Sequence, residues 1–159
     1  MRDLVNELDV GVIDAVTGVD LQVLLGRAFC RGLQWEIVAT QRVSDDLDSV
    51  REQLRDLADS GRFDLVLTTG GTGIGPRDNA PEATQAIAER VIPGIAEEMR
   101  RKGLEKTPTA VLSRGLAITR GKTLIVNLPG SPKGATESIE SIAHLLPHAV
   151  HVLNGASHD

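Results

Sequence analysis

A chain of 159 residues, 41% apolar, 25% charged and 2% aromatic, suits one domain, spanning residues 1–159. With 17 Lys and Arg against 22 Asp and Glu, its net charge of −5 lacks the basic footprint of a nucleic-acid binder. Phe29, Phe63 and Trp35 are the whole aromatic supply, too few for base-stacking platforms, and Cys30, the sole cysteine, excludes an intramolecular disulfide or a thiolate cluster. No apolar run approaches the ~20 residues of a membrane helix, and the acidic residues that follow Arg2 interrupt any signal-peptide core. The expectation is a soluble cytoplasmic protein with no membrane or nucleic-acid partner.

Val10–Ile13 is a β-branched run and predicts a first strand. Residues 21–32 read as a helix with Leu21, Leu24, Leu25 and Ala28 on one face, stopped by Gly32. Glu36–Val43 predicts a second strand. Over 46–59, Val50, Leu54 and Leu57 recur at helical spacing while Arg51, Glu52 and Arg55 face away, and Gly61 ends the helix. Phe63–Thr68 is a nearly continuous apolar run, as expected at the centre of a parallel sheet. Pro81 suits a first helical turn, and that helix is expected to reach about Val91; Pro93 separates it from another reaching about Lys102. Residues 109–126 hold three β-like pieces, 109–113, 116–119 and 123–126. Ser131 and Pro132 open a last helix with Ala135, Ile139, Ile142 and Leu146 inward. Strands alternating with helices predict an α/β fold, a three-layer α/β/α sandwich around a mostly parallel sheet.

Chemistry concentrates in Thr68–Asp78, TTGGTGIGPRD. Four glycines after a buried strand allow a sharp turn that brings N–H groups to an anion. The loop follows the carboxyl end of a strand, where open α/β sheets bind ligands. It is neither a Walker A loop, which needs Gly-Lys-Ser/Thr, nor a dinucleotide fingerprint, because Pro76 stands at the third glycine position. Geometry alone gives an anion or phosphate loop, or a tight turn that needs glycine and nothing more. Asp78 and Asn79 are both able to cap the next helix. If Asn79 does so, Asp78 is available for a hard cation beside a phosphate.

Residues 65–84, LVLTTGGTGIGPRDNAPEAT, resemble the signature of the MogA/MoaB family of molybdenum-cofactor biosynthesis proteins. Residues 124–133, LIVNLPGSPK, resemble that family's later signature, and residues 108–117, PTAVLSRGLA, the segment between. The resemblance covers about residues 32–155. It implies a Mg²⁺-dependent adenylyltransferase with molybdopterin and ATP as substrates, assembled as a homotrimer or hexamer. The terminal phosphate of molybdopterin would attack the α-phosphate of ATP. In that frame Asp78 and Asp45 are the expected catalytic and Mg²⁺-holding carboxylates. Thr69, Gly70, Gly71, Thr72, Gly73 and Arg77 would receive nucleotide phosphate, and Pro129, Gly130, Ser131 and Lys133 the pterin substrate.

Each assignment has a plainer counterpart. Ser44, Asp45 and Asp46 are all plain candidates to cap the 46–59 helix and Ser131 the last one, and Lys133 also reads as a solvated side chain. His144, His148 and His151 recur at i, i+4 and i+7, but Pro147 interrupts that helix and they are expected to be surface residues. Glu97–Lys102 reads as a solvated helix face. Residues 10–23 lack the Ser-Asp-Arg and Ser-Gly-Pro elements with which the family usually opens, although Asp14 and Asp20 are present. That difference motivates a second reading, a non-catalytic molybdopterin-binding or assembly protein.

Overall fold

The computed structural model describes residues 7–14 and 34–155, with 7–14 and 34–40 described by backbone alone. Two strands, β1 (Glu7–Asp14) and β2 (Gln34–Arg42), precede helix α1 (Leu47–Asp59) and strand β3 (Leu65–Thr69). Helix α2 (Ala80–Ile87), strand β4 (Arg90–Val91) and helix α3 (Pro93–Leu104) follow. A 3₁₀ turn (Pro108–Leu112) leads to β5 (Ala117–Arg120), β6 (Thr123–Leu128) and α4 (Pro132–Ile142). A second 3₁₀ turn (Ala143–Leu145) then joins α5 (Leu146–Leu153). The predicted helix over 21–32, with Cys30 and Asp20, lies outside the described residues.

The described strands form one sheet in the order β2-β1-β3-β6-β5-β4. The first four run parallel; β5 pairs antiparallel with β6, and β4 with β5. Alternation along the central strands divides the core into two layers. Leu65, Leu67, Leu124, Val126 and Leu128 face Ile95 and Met99 of α3, Ile139 of α4 and Leu146 of α5. Val66, Ile118 and Ile125 face Val50 and Leu54 of α1 and Ala83 and Ile87 of α2. β3 and β6 are buried throughout, which is why they read as unbroken apolar runs. The α/β/α sandwich expected from the sequence is the observed architecture. No helix among the described residues is long and apolar enough to cross a membrane.

Three boundaries differ from expectation. The helix expected to reach Val91 stops at Ile87, because Ala88 turns extended (ψ 130°) and the Glu89 N–H donates to the Thr119 carbonyl at 3.0 Å. The chain there joins the sheet as β4, and Pro93 keeps Ile92 out of the helical region. Residues 109–113 are not a strand. The Thr107 side chain accepts from the Thr109 N–H and Pro108 presets the first turn, so a 3₁₀ turn forms, with Val111 and Leu112 exposed. The last helix breaks after Ile142, and Leu146 opens α5.

One buried polar group ties the layers together. Asn127 on β6 donates to the hydroxyls of Thr68 on β3 and Thr84 on α2, both at 2.9 Å, and its Oδ1 accepts from the Leu116 N–H at 3.0 Å. Every polar atom of the amide is satisfied. Asn127→Ala should lower stability by about 2–4 kcal/mol in urea unfolding, since it leaves a part-buried N–H and two buried hydroxyls short of partners.

At the start of α1 the cap is Asp46, whose carboxylate accepts from the Ser49 N–H at 2.9 Å and hydroxyl at 2.6 Å. Those bonds hold its carboxyl down to about 2. The stability they lend is complete above the ordinary carboxylate range near pH 4 and is lost as pH falls through about 2. Thermal unfolding should therefore show a wild-type advantage over Asp46→Asn at pH 5 that shrinks towards pH 2.

Candidate active site

The two sequence motifs meet because the strands that launch them are neighbours. Thr69 closes β3 opposite Leu128, the end of β6, and the Gly70 N–H donates to the Leu128 carbonyl at 3.0 Å. Gly70 and Gly71 then turn with φ of 87° and 68°, a conformation that side chains strain. The Ala80 N–H closes the loop onto the Gly71 carbonyl at 3.1 Å. Residues 129–131 leave β6 alongside it and enter α4, where Ser131 is the cap and accepts from the Gly134 N–H at 3.1 Å.

Asp78 folds back into its own loop. Its Oδ2 accepts from the Gly75 N–H at 2.7 Å, and a Cβ on Gly73 or on Gly75 would lie 2.8 Å from that oxygen. Both glycines thus leave the room in which this carboxylate sits, and a side chain at either would push it aside. Among the described residues its Oδ1 accepts no hydrogen bond. Asn79 holds the cap position of α2, and its Nδ2 donates to the Asp45 carbonyl at 3.3 Å.

An arginine that no spacing rule singled out braces this loop. Arg114 donates from Nε to the Gly73 carbonyl at 2.7 Å and from one Nη to the Asp78 carbonyl at 2.8 Å. Its other Nη pairs with the Glu82 carboxylate, whose pKa it lowers from the usual value. Its backbone N–H reaches the Thr72 carbonyl at 2.8 Å. The only sequence signal was its place inside residues 108–117, the segment between the two signatures.

These parts border a cavity of about 450 Å³, within the range that takes small molecules. Gly70, Gly71, Thr72, Gly73 and Asp78 form one wall; Pro129, Gly130 and Ser131 form another. α3 and the 3₁₀ turn close the remaining side with Met99, Arg100, Thr107 and Leu112. Gly103 permits this closure, because a Cβ there would lie 2.8 Å from the Ala110 Cβ. Among the described residues lining the cavity none is aromatic, and Arg100 is the one cationic side chain. Expected on a solvated face, Arg100 instead turns inward and donates to the Ser113 and Gly115 carbonyls, each at 3.3 Å.

Other selected residues lie elsewhere. Asp45, left unused as a cap by Asp46, pairs with Arg77 at 2.9 Å. Both border a small crevice of about 10 Å³, with Thr69, on the far side of Gly70 and Gly71. Lys133 is 82% exposed, does not line the cavity, and lies 4.0 Å from Glu137. Asp14 is the last residue of β1, in register with Thr69. His144, His148 and His151 are exposed, and the described residues contain no cluster of three or more His, Cys, Asp or Glu fit to hold a metal.

Residues 21–148 match the family model described as a probable molybdopterin binding domain. The chain belongs to this family. It is 38% identical over 147 residues to the molybdopterin adenylyltransferase of Helicobacter pylori, covering 91% of this chain and 81% of that one. Among solved structures, the molybdopterin biosynthesis enzyme MoaB from Thermus thermophilus is 43% identical with a TM-score of 0.83, covering 96% of this chain and 99% of that one. The molybdopterin biosynthesis Mog protein from Mycobacterium ulcerans is 37% identical, also with a TM-score of 0.83, covering 93% and 97%. The MogA/MoaB membership implied by the sequence motifs is therefore shown.

Arg114→Ala should loosen the family loop without unfolding the domain. Amide exchange at Gly75 and Asp78 should quicken at least tenfold while exchange in β3 and β6 is unchanged. Arg114→Lys should restore little of the protection, since an ammonium cannot span two carbonyls and a carboxylate as the planar fork does.

Proposed function

We propose that this protein adenylylates molybdopterin in molybdenum-cofactor biosynthesis, with ATP as the donor. The observation that carries the reading is the joining, in one cavity, of the glycine-loop backbone, the Asp78 carboxylate and the N-terminus of α4. The activity named for the Helicobacter pylori relative supports it. A terminal phosphate oxygen of molybdopterin attacks the α-phosphorus of ATP. The new P–O bond forms as the bond to the bridging oxygen breaks, and pyrophosphate leaves. Because the substrate phosphate is the nucleophile, the protein's task is to align two anions and offset their repulsion.

In this reading the pterin substrate occupies the large cavity against Pro129, Gly130 and Ser131, with its phosphate at the start of α4, where N–H groups and the helix dipole favour an anion. Gly70–Gly73 present backbone to the phosphates. The nucleotide lies over the opposite side of Gly70 and Gly71, flanked by Thr69, Arg77 and Asp45; the crevice there is a flank, not a container. The donor set fits Mg²⁺, which takes few protein carboxylates and fills its shell with phosphate oxygens and water. Asp78, whose Oδ1 accepts no hydrogen bond among the described residues, would hold it, and Asp45 would serve from the nucleotide side. When bound, Mg²⁺ neutralises charge on the reacting phosphates. Lys133 contributes as an exposed surface cation. The exposed apolar side chains Val111, Leu112 and Leu104 support assembly as a homotrimer or hexamer.

The test is direct. Purified protein with Mg-ATP and metal-free molybdopterin should yield adenylyl-molybdopterin and pyrophosphate. Asp78→Asn should cut turnover about 10²–10³-fold with its melting temperature little changed. Tight pterin binding by the wild type without product would instead favour the non-catalytic, MoaB-type reading.

A further inference from the structure

The cavity has a second carboxylate that the proposed chemistry leaves unused. Glu137 lies on the second turn of α4, half-buried, and borders the cavity. It also borders an outer groove with Lys102, in the last turn of α3, and Lys106, just past its end, where Gly103 and Thr107 line the cavity. Glu137 therefore marks the end of the cavity nearest the close of α3. Asp78 marks another part of the wall, held in the glycine loop. Between the cap Ser131 and Glu137 the helix advances six residues, about 9 Å. A ring system attached to a phosphate at the start of α4 needs to span about that distance along the helix to meet Glu137.

The protein partner of Glu137 is weak. Lys133 approaches no closer than 4.0 Å, from a side chain 82% exposed. Among the described residues no N–H or O–H group donates a hydrogen bond to this carboxylate. It borders the cavity with acceptor capacity to spare. A pterin carries on its pyrimidine edge two parallel donors, the 2-amino group and N3–H. Two carboxylate oxygens match two parallel N–H donors in a bidentate, charge-assisted pair.

Resting on the molybdopterin reading above, we propose that Glu137 is a specificity residue that reads the 2-amino and N3–H edge of the pterin, with Lys133 orienting it from solvent. Its contribution is to binding and choice of ring, not to the bond-making step. The prediction is therefore a rise in KM for the pterin substrate without an equal fall in kcat.

The experiment compares wild type with Glu137→Gln, an isosteric helix-surface change whose folding is checked by thermal unfolding. Two assays run in parallel. In the adenylylation assay, Glu137→Gln should raise KM for molybdopterin about 10- to 100-fold, with kcat and KM for ATP within a factor of three. In a fluorescence titration without ATP, wild type should bind a simple pterin more tightly than the corresponding 2,4-dioxo ring, which lacks the 2-amino group. Glu137→Gln should erase that preference. An unchanged KM, or an unchanged preference between the two rings, would overturn the proposal. Failure of the broader reading is separate: it shows as no adenylylated product from the wild type, while the titration still decides whether Glu137 selects the 2-amino ring.

Discussion

The site depends on the parallel pairing of β3 with β6. Five register pairs, from Leu65 with Leu124 to Thr69 with Leu128, align the ends of two strands that are far apart in the chain. The Gly70 N–H continues that ladder one step beyond β3. Both signature segments therefore leave the sheet at the same carboxyl end of its central strands, and the cavity is the space they enclose with α3. A slip of one residue would turn every side chain of the moved strand to the other face. Leu65, Leu67, Leu124 and Val126 on one face, and Val66 and Ile125 on the other, forbid it through burial. The Thr68–Asn127–Thr84 hydrogen bonds add a polar check on the same register.

Much of this was legible in the sequence because burial leaves a periodic trace. The 46–59 helix shows its apolar stripe, and the buried central strands show as runs. The glycine loop announced itself by composition, and the two signatures by order. What escaped was local competition. Residues 109–113 have strand-like composition, but Thr107 and Pro108 impose a tighter turn before the sheet can claim them. Residues 88–91 continue a helix on propensity, but free backbone groups on β5 offer Glu89 and Ile92 better partners.

The site was legible unevenly for a related reason. Backbone-mediated roles follow from glycine and cap residues, which the sequence displays. Long side chains reach across the fold, and their destinations do not follow from spacing. Arg100 sits within a run of charges and still faces inward. Arg114 braces a loop about forty residues away in the chain. Lys133 does not line the cavity, although Glu137 one turn later does. Choosing among the three candidate caps, Ser44, Asp45 and Asp46, likewise required the geometry of Ser49.

The wedge of Asp78 between Gly73 and Gly75 has an evolutionary corollary. While the carboxylate fills the space a methyl group would take, neither glycine can be replaced without displacing it. Neither φ lies in the left-handed range, so alanine is backbone-compatible at both positions once the carboxylate is gone. The three positions are therefore epistatic. Loss of the acid at 78 releases the glycines to drift, and once either has acquired a side chain, reversion at 78 alone no longer restores the loop. A lineage that abandons this carboxylate and then fills either glycine must undo both changes to return.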